Sequence, residues 1–337
     1  MKKLISYVLT CALALSVFVG CGANSAQISD EEVASAGTDS EAISVVTTIF
    51  PEYDWVREIV GDRADVEITM LLDNGVDLHS YQPTAEDIMK IATCDVFIYV
   101  GGESDEWVED ALKEATNKDM QVVNLLDVLG SQVKEEEVVE GMEAEEEEEE
   151  GEEGEEEEVE YDEHVWLSLK NTQTLVDAIA EAISAVDAAG ADTYKANSAN
   201  YNSKLADLDN QYEAAVSAAN VNTVLFGDRF PFRYLVDDYN ISYYAAFVGC
   251  SAETEASFET VKFLADKVDE LGLKTVFTIE NSDQKIAKTI IENTNSKDAQ
   301  ILTLNSMQST TSQDVASGAT YLSIMEENLK VLQEGLK

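Results

Sequence analysis

Two runs of alternating strand-like and helix-like segments, separated by one long helical stretch, constrain the fold of this chain most strongly. In the first run, extended apolar segments such as 42–50, 66–72 and 95–102 alternate with amphipathic segments. The second run repeats the pattern between 223 and 336. Because consecutive strand–helix units place their strands in parallel, each run predicts a parallel sheet with helices on both faces.

The stretch between Asp192 and Ala219 predicts a single helix of about seven turns. Its apolar residues recur at helical spacing and form one continuous stripe: Tyr194, Tyr201, Leu205, Leu208, Tyr212, Ala215 and Ala219. A helix of this length between two α/β runs is interpreted as a strut between lobes. We therefore expect an α/β protein of two lobes, each a mainly parallel sheet flanked by helices. The expected bounds are 43–190 for the N-terminal lobe, 191–220 for the interlobe helix and 221–337 for the C-terminal lobe.

A glutamate-rich segment interrupts the first run. Between Glu135 and Glu163 the sequence has 19 Glu and one Asp, with no Lys or Arg. Such a segment repels itself and cannot form a core, so residues 134–160 are predicted to be a disordered loop. The whole chain has a formal net charge of −47. This charge disfavours nucleic acid as a partner and favours cations, although an acidic surface can also serve solubility alone.

The N-terminus has the pattern of an export signal. A basic start is followed by a short apolar run that ends in Phe18-Val19-Gly20-Cys21, so residues 1–20 are predicted to be a signal peptide rather than a spanning helix. The ending resembles the bacterial lipobox, in which the cysteine is lipidated. Residues 21–42 then form a flexible tether, and the mature protein is expected outside the cell membrane, anchored to it through Cys21. Export permits a disulfide, but the sequence leaves open whether Cys94 and Cys250 pair.

The chain contains only two histidines, and both lie in predicted loops next to strands or helices. His79 lies in NGVDLHSYQPTAEDI, and His164 lies in YDEHVWL at the exit of the acidic segment. Ligands of two-lobed α/β proteins bind near the strand ends, and imidazole is the commonest nitrogen ligand of divalent transition metals. Facing one cleft, these histidines would supply half of a tetrahedral zinc site. A loop histidine can also be an ordinary surface residue.

The segments GVDLHSYQPTAEDI and DEHVWLSL resemble the two histidine motifs of the metal-binding lipoproteins of ABC importers, the zinc and manganese cluster of substrate-binding proteins. The resemblance continues through DVFIYVGGESDEWVED, GDRFPFRYLVDDYNI and VFTIENS, and it covers nearly all of residues 43–337. It implies two α/β lobes joined by a rigid helix, with the metal held between them. Zinc-specific members often have a His- and acid-rich loop where this chain has its glutamate run.

The resemblance implies a ligand set that this chain matches only in part. His79 and His164 match two family ligands of the first lobe. The third ligand is usually a histidine, but Arg229 falls at that position and cannot bind zinc; Asp228 could substitute after a slight loop shift. Glu280 is a further carboxylate at a strand end, where the family more often uses it for hydrogen bonding. The predicted metal residues are therefore His79, His164, Asp228 and Glu280.

Two questions about this site stay open at the level of sequence. The loop after the last strand, where the family commonly has its fourth ligand, offers only Asn305 as a weak donor. Arg229 either pairs with Asp228 or an interlobe carboxylate, or marks the loss of the metal site and a switch to an anionic ligand.

The predicted function is a monomeric, non-enzymatic lipoprotein that captures Zn²⁺ outside the membrane and delivers it to an ABC permease. Both histidines would bind as neutral imidazoles, so affinity is expected to fall below about pH 6.5. The alternatives are a manganese importer component, a metallohydrolase, and a polyanionic surface adhesin or cation buffer without a tight site. The widely separated histidines and the lack of an HExxH helix argue against the hydrolase.

Overall fold

The computed structural model describes residues 42–143, 160–251 and 255–337. The predicted signal peptide 1–20, Cys21 and nearly all of the tether 21–42 lie outside the described residues, as does the glutamate-rich stretch 144–159. In the described part of the chain, no helix has both the length and the apolar character needed to cross a bilayer.

The first lobe is built on a sheet of four parallel strands, and helices connect and flank these strands. Its strands are β1 (Ile43–Thr47), β2 (Val66–Met70), β3 (Val96–Tyr99) and β4 (Gln121–Asn124). Its helices are α1 (Phe50–Val60), α2 (Ala85–Thr93), α3 (Trp107–Lys113), α4 (Leu125–Leu129) and α5 (Leu169–Val186). The strand order is β2-β1-β3-β4, and all pairings are parallel.

Local sequence signals account for where the first helices begin and end. Helix α1 has a proline in its first turn and ends at Gly61, whose φ of +62° suits a glycine. Helix α2 begins after a Thr84 cap: the Thr84 hydroxyl accepts the Asp87 N–H, and the Asp87 carboxylate accepts the Thr84 N–H. This reciprocal capping box satisfies two backbone donors at the helix start.

A long helix leads from the first lobe to a second lobe with the same sheet order. Helix α6 (Ala191–Ser217) precedes the strands β5 (Thr223–Phe230), β6 (Ser242–Val248), β7 (Thr275–Ile279) and β8 (Gln300–Leu304). The remaining helices are α7 (Arg233–Asp238), α8 (Phe258–Leu271), α9 (Lys285–Asn293), α10 (Ser312–Ala316) and α11 (Tyr321–Gly335). The order β6-β5-β7-β8 is again fully parallel. The predicted α/β class with two mainly parallel sheets is therefore confirmed.

Helix α6 packs against both lobes through the apolar stripe seen in the sequence. Tyr194, Tyr201, Leu205, Leu208 and Tyr212 are buried on this face, which contacts α1 and α5 of the first lobe and α11 of the second. One apolar cluster includes the first sheet, this stripe and the facing side of the second sheet. Because dense packing resists shear, this continuous core is expected to limit rotation of one lobe against the other.

The sequence predicts that residues 134–160 are disordered, but backbone hydrogen bonds order both ends of this segment. The Glu136 N–H donates to the Glu160 carbonyl at 2.9 Å, and Glu135 and Tyr161 form an antiparallel bridge. Further along, the Glu143 N–H donates to the Ala246 carbonyl of β6 at 2.9 Å. These backbone bonds, and the burial of Met142, hold residues 134–143 in place although their charges repel.

Candidate metal centre

His79 lies in the loop after β2, within a short 3₁₀ turn, Leu78–Ser80. The Asp77 carboxylate caps this turn by accepting the His79 backbone N–H at 3.2 Å. The Nδ1 atom of His79 lies 2.7 Å from Ser104 Oγ and 3.5 Å from Glu163 Oε2. These contacts fix the imidazole ring and leave Nε2 facing His164.

His164 is fully buried at the entrance to a second 3₁₀ turn, Val165–Leu167, which leads into α5. One carboxylate oxygen of Asp162 accepts the His164 backbone N–H at 2.9 Å and lies 3.0 Å from the ring Nδ1. Two residues later, the Trp166 indole donates to the Ser306 carbonyl of the second lobe at 2.8 Å. The ring of His164 is therefore held from its own lobe and next to a direct interlobe contact.

The two imidazoles meet through their Nε2 atoms, which are 3.1 Å apart. Each Nδ1 lies near a carboxylate oxygen, Glu163 Oε2 for His79 and Asp162 Oδ1 for His164; since carboxylates accept, we assign the protons to Nδ1 and the lone pairs to Nε2. Two nitrogen lone pairs then point at one small volume. This arrangement is favourable only when a donor or a cation lies between them.

The separation of the nitrogens suits a metal ion. Zinc–nitrogen bonds of about 2.0–2.1 Å at a tetrahedral angle place two ligand nitrogens about 3.3 Å apart. The observed 3.1 Å is within a few tenths of an ångström of that distance. The two side chains can therefore hold one ion with little movement.

Burial, together with the neighbouring His164 ring, lowers the pKa of His79 to about 3. A histidine with so low a pKa stays neutral, and its Nε2 lone pair remains available through the physiological range. The sequence-based expectation of proton competition near pH 6.5 assumed an imidazole exposed to water, and burial moves the pKa of His79 far below that value.

Asp228 lies beside the site, but its oxygens are bonded elsewhere. A bulge in β5 between Phe226 and Arg229 turns this part of the strand. The Asp228 carboxylate accepts the Arg229 N–H at 3.0 Å and the Ile279 N–H at 3.4 Å, and it also bonds the Ser282 side chain. Burial raises the pKa of this carboxyl above its ordinary value.

Glu280, directly after β7, organises the loop that follows β8. Its Oε2 accepts the Ser306 N–H at 2.7 Å, and its Oε1 accepts the Ser306 hydroxyl at 2.7 Å and the Gln308 N–H at 3.2 Å. Burial raises its pKa, while the bonds from Ser306 oppose that shift. Glu280 thus has the hydrogen-bonding role that the family more often gives this position.

The loop arranged by Glu280 brings Gln308 into the site. The Gln308 side-chain nitrogen lies 3.1 Å from His79 Nε2 and closer still to His164 Nε2. Met307 before it is a buried non-glycine residue with φ of +65°, and its N–H bonds the Asn305 side chain at 2.8 Å. A left-handed, buried methionine indicates a loop whose shape is strongly constrained by its surroundings.

Arg229 pairs with a carboxylate of the other lobe, one of the two partners that sequence left open. Its guanidinium forms an ion pair with Asp77 and donates to Gln308 Oε1 at 3.1 Å. Burial alone would raise the pKa of Asp77, but the Arg229 guanidinium holds it below its usual range. This ion pair joins the His79 loop to β5 across the cleft.

Cys250 is the side chain that the sequence-based ligand set omits. Among the residues that the structure describes, the group of possible ligand atoms lying within 4.8 Å of one another consists of His79, His164 and Cys250. Asp228 and Glu280 are not in this group. A cavity of about 190 Å³ exposes His79 and Cys250, and four glutamates and two other residues complete its wall: Glu103, Ser104, Glu136, Glu160, Tyr161 and Glu163.

The second-lobe residues around the histidines carried weak signals in sequence. Cys250 comes shortly after ISYYAAF, residues 241–247, a strand-like segment of the second run, so the strand-end criterion that selected His79 applies to it as well. Gln308 had no such signal, because a glutamine in a loop has no characteristic spacing or preferred chemistry.

Comparison with known proteins finds similarity to zinc-uptake proteins along almost the whole folded chain. The family model described as zinc-uptake complex component A, periplasmic (ZnuA), matches residues 45–335. The zinc-binding protein AdcA of Streptococcus pyogenes is 31% identical over 297 residues, which cover 86% of this chain and 55% of the relative. The chain therefore spans about half the length of the streptococcal relatives it matches. The high-affinity zinc uptake system protein ZnuA of Bacillus subtilis is 30% identical over 302 residues, covering 90% of each chain.

Solved structures show the same two-lobed architecture. The Zn(II)-bound ZnuA-like domain of Streptococcus pneumoniae AdcA has a TM-score of 0.66 at 26% identity, covering 87% of this chain and 98% of that structure. The metal-dependent lipoprotein YcdH of Bacillus subtilis has a TM-score of 0.69 at 26% identity, covering 87% and 99%. From the family match and these relatives together, the chain belongs to the ZnuA family of periplasmic zinc-uptake components.

Proposed function

We propose that this protein captures Zn²⁺ between its two lobes and delivers it to the permease of an ABC importer. The observation that carries the proposal is the pair of imidazole Nε2 atoms, 3.1 Å apart with their lone pairs facing. Membership of the ZnuA family and relatives named for zinc binding support the same ion.

The donor set favours zinc over manganese. Zinc accepts imidazole nitrogen in four-coordinate sites, whereas manganese prefers carboxylate oxygens and higher coordination. In this site two imidazoles converge, while Asp228 and Glu280 use their oxygens for hydrogen bonds. His79 and His164 are the first-lobe ligands in this proposal. Asp228 and Glu280 contribute negative charge and hold the second-lobe loops, and either would have to give up these bonds to bind the ion directly.

The remaining parts of the proposal concern where the protein acts. Export and lipidation at Cys21 would hold a monomer at the outer face of the cell membrane, close to the permease. The protein binds and releases its ion without making or breaking covalent bonds in a substrate. The glutamate run raises the local concentration of divalent cations near the mouth of the cleft, weakly and in a salt-dependent way.

Metal capture is tested by competition with a chelator for Zn²⁺ and for Mn²⁺. Wild type should bind one Zn²⁺ per chain, and His79→Ala should weaken binding on the order of a hundredfold, since four ligands share ~10–16 kcal/mol in a structural zinc site. Ser80→Ala, at the exposed neighbouring position, is the matched control and should bind as wild type does. Equal zinc affinity in wild type and His79→Ala would overturn the proposal.

The location is tested separately. Wild type should be recovered with the membrane fraction, and Cys21→Ala should be absent from the mature, membrane-anchored pool. Delivery to the permease is measured as zinc-limited uptake of radiolabelled zinc by cells expressing each variant.

A further inference from the structure

We propose that the Cys250 thiolate is the second lobe's ligand, so that His79, His164 and Cys250 form a two-nitrogen, one-sulfur zinc site. This inference rests on the proposed function, because it names a ligand of the same site. It also explains how a chain with Arg229 at the usual histidine position can still hold the ion from both lobes.

The position of Cys250 supports this role. Cys250 follows β6 by two residues, at the carboxyl end of the second sheet. Its sulfur and one ring nitrogen from each histidine all lie within 4.8 Å of one another. In a tetrahedral zinc site with a zinc–sulfur bond of about 2.3 Å, the sulfur would lie about 3.5 Å from each nitrogen. A shift of about an ångström in one loop therefore completes the set.

The glycine before Cys250 is a second and independent observation. A Cβ atom at Gly249 would lie 2.9 Å from His164 Cε1 and 3.1 Å from His164 Nδ1. A side chain at this position would force the imidazole or the backbone to shift, so the glycine allows the backbone to approach this ring closely. The result of that close approach is to bring residue 250 of the second lobe to a metal-binding histidine of the first.

The other second-lobe candidates are less suited to the task. Arg229 offers only N–H donors, and it is occupied by Asp77 and Gln308. Asp228 and Glu280 are bonded to backbone N–H groups. A thiol loses its proton when it binds zinc: the Zn–S bond forms, the S–H bond breaks, and the proton passes to solvent. No oxidant or reductant takes part.

A sulfur ligand predicts a particular metal preference. Soft thiolate binds zinc, cobalt and monovalent copper well, whereas manganese prefers hard oxygen donors. The discrimination between Zn²⁺ and Mn²⁺ should therefore depend on Cys250 in addition to the two histidines. A Cys250→Ser variant should lose about tenfold or more of this discrimination while keeping the nitrogen pair.

The test uses Co²⁺ as a spectroscopic probe in the full chain, under a phosphine reductant that keeps thiols reduced. Wild type should show a sulfur-to-cobalt charge-transfer band in the near ultraviolet, and Cys250→Ser should lack it. Cys94→Ser is the matched control, because Cys94 is buried in the first lobe against Met120 and should leave the band unchanged. Cys11 and Cys21 are common to all three chains and cancel in the comparison.

A second measurement protects the test against a folding defect in the serine variant. In wild type, Zn²⁺ should slow alkylation of Cys250 on the order of a hundredfold, because a metal-bound thiolate is no longer available as a nucleophile. A wild-type band that is absent, together with alkylation that zinc leaves unchanged, would overturn the cysteine ligand. If His79→Ala still lost zinc binding in that case, the proposed function would stand without Cys250. Unaltered zinc binding in His79→Ala would instead reject the proposed function and this inference together.

Discussion

The two lobes share one strand order, yet they present different chemistry to the cleft between them. The first lobe contributes two imidazoles whose Nδ1 atoms are held by Asp162, Ser104 and Glu163, with both Nε2 lone pairs exposed to the site. The second lobe contributes mostly groups that are already bonded: a guanidinium, an amide and two carboxylates.

This difference shows that two carboxylates of the same chemical type can differ from a histidine pair in how many of their hydrogen bonds are already made. Asp228 and Glu280 are carboxylates near the histidine pair, and both are predicted ligands of the ion. In the structure their oxygens accept backbone N–H groups, which would be left unsatisfied if the carboxylates turned to a metal. Whether a donor atom can serve as a ligand therefore depends on which hydrogen bonds it would have to give up.

The largest expected effect is the difference in zinc affinity lost when a first-lobe histidine or a second-lobe carboxylate is removed. His164→Ala should weaken zinc binding by a hundredfold or more, on the order of one ligand's share of a four-ligand site. Asp228→Ala should weaken it by less than about tenfold, because it acts through charge at a distance. Competition titration with a chelator measures both. Equal losses in the two variants would mean that the lobes contribute ligands alike.

The contact between the lobes behind the site predicts a dependence of stability on pH. Asp54 of α1 accepts the Tyr321 N–H at the start of α11, and burial raises the pKa of Asp54 to about 6. The folded state holds this proton more tightly than the unfolded state, whose pKa is near 3.8. The carboxyl therefore stabilises the fold least above pH 6 and progressively more as the pH falls from 6 to 4, by about 3 kcal/mol in all.

The Asp54→Asn variant isolates this contribution, since it cannot titrate. The free energy of unfolding of the variant minus that of wild type should increase by about 3 kcal/mol from pH 4 to pH 7, because wild type loses stability as Asp54 ionises and the variant does not. Urea unfolding at both pH values measures this difference. Parallel pH profiles for the two chains would show that Asp54 is not protonated at the seam between the lobes.

The orientation of the first-lobe ligands is the next effect in size. Asp162→Asn removes the charged acceptor that faces His164 Nδ1 at 3.0 Å, and it should weaken zinc binding by about 10- to 100-fold. Glu160→Gln, in the wall of the 190 Å³ cavity, removes the same charge without touching a histidine. If both variants lost equal affinity, the role of Asp162 would be one of charge rather than orientation.

The interlobe ion pair should affect the fold more modestly. Arg229→Met leaves the mostly buried carboxylate of Asp77 without its guanidinium partner, and the free energy of unfolding should fall by about 1–2 kcal/mol. Lys113→Met, which removes an exposed ion pair within α3, is the control and should unfold as wild type does. An unchanged unfolding midpoint in Arg229→Met would mean that this ion pair contributes nothing to holding the second lobe against the first.

The smallest effect concerns the glutamate run. Deleting only residues 144–159 keeps the backbone bonds that Glu136 and Glu143 make at its two ends. Zinc association should slow by about two- to tenfold at low ionic strength and change little at high salt, since exposed charges are screened. Stopped-flow capture at two salt concentrations measures this. Identical rates at low salt would make the run a spacer.

Much of the fold and half of the candidate site could be predicted from sequence. The alternation of segments predicts parallel sheets because each strand–helix unit leaves its strand in the same direction, and Thr84 and Gly61 mark helix ends through local chemistry. His79 and His164 stand out because histidine is rare in this chain. Those features are all local.

The parts that sequence did not predict depend on contacts between distant residues. Whether the Asp228 oxygens are available depends on the end of β7, about fifty residues away in sequence. Whether Cys250 reaches His164 depends on the close approach at Gly249, and the order of residues 134–143 depends on pairing with β6. These contacts cannot be predicted from the spacing of residues or the composition of the sequence.

The indole of Trp166 gives the protein an optical probe of its own cleft. It is fully buried, its ring centre lies 5.3 Å from that of His164, and its N–H is bonded to the loop that carries Gln308. Binding of a metal ion to His164, or movement of that loop, would change the surroundings of the Trp166 fluorophore. With Trp55 and Trp107 replaced by phenylalanine, emission from Trp166 would follow metal entry and release in real time, without an attached dye.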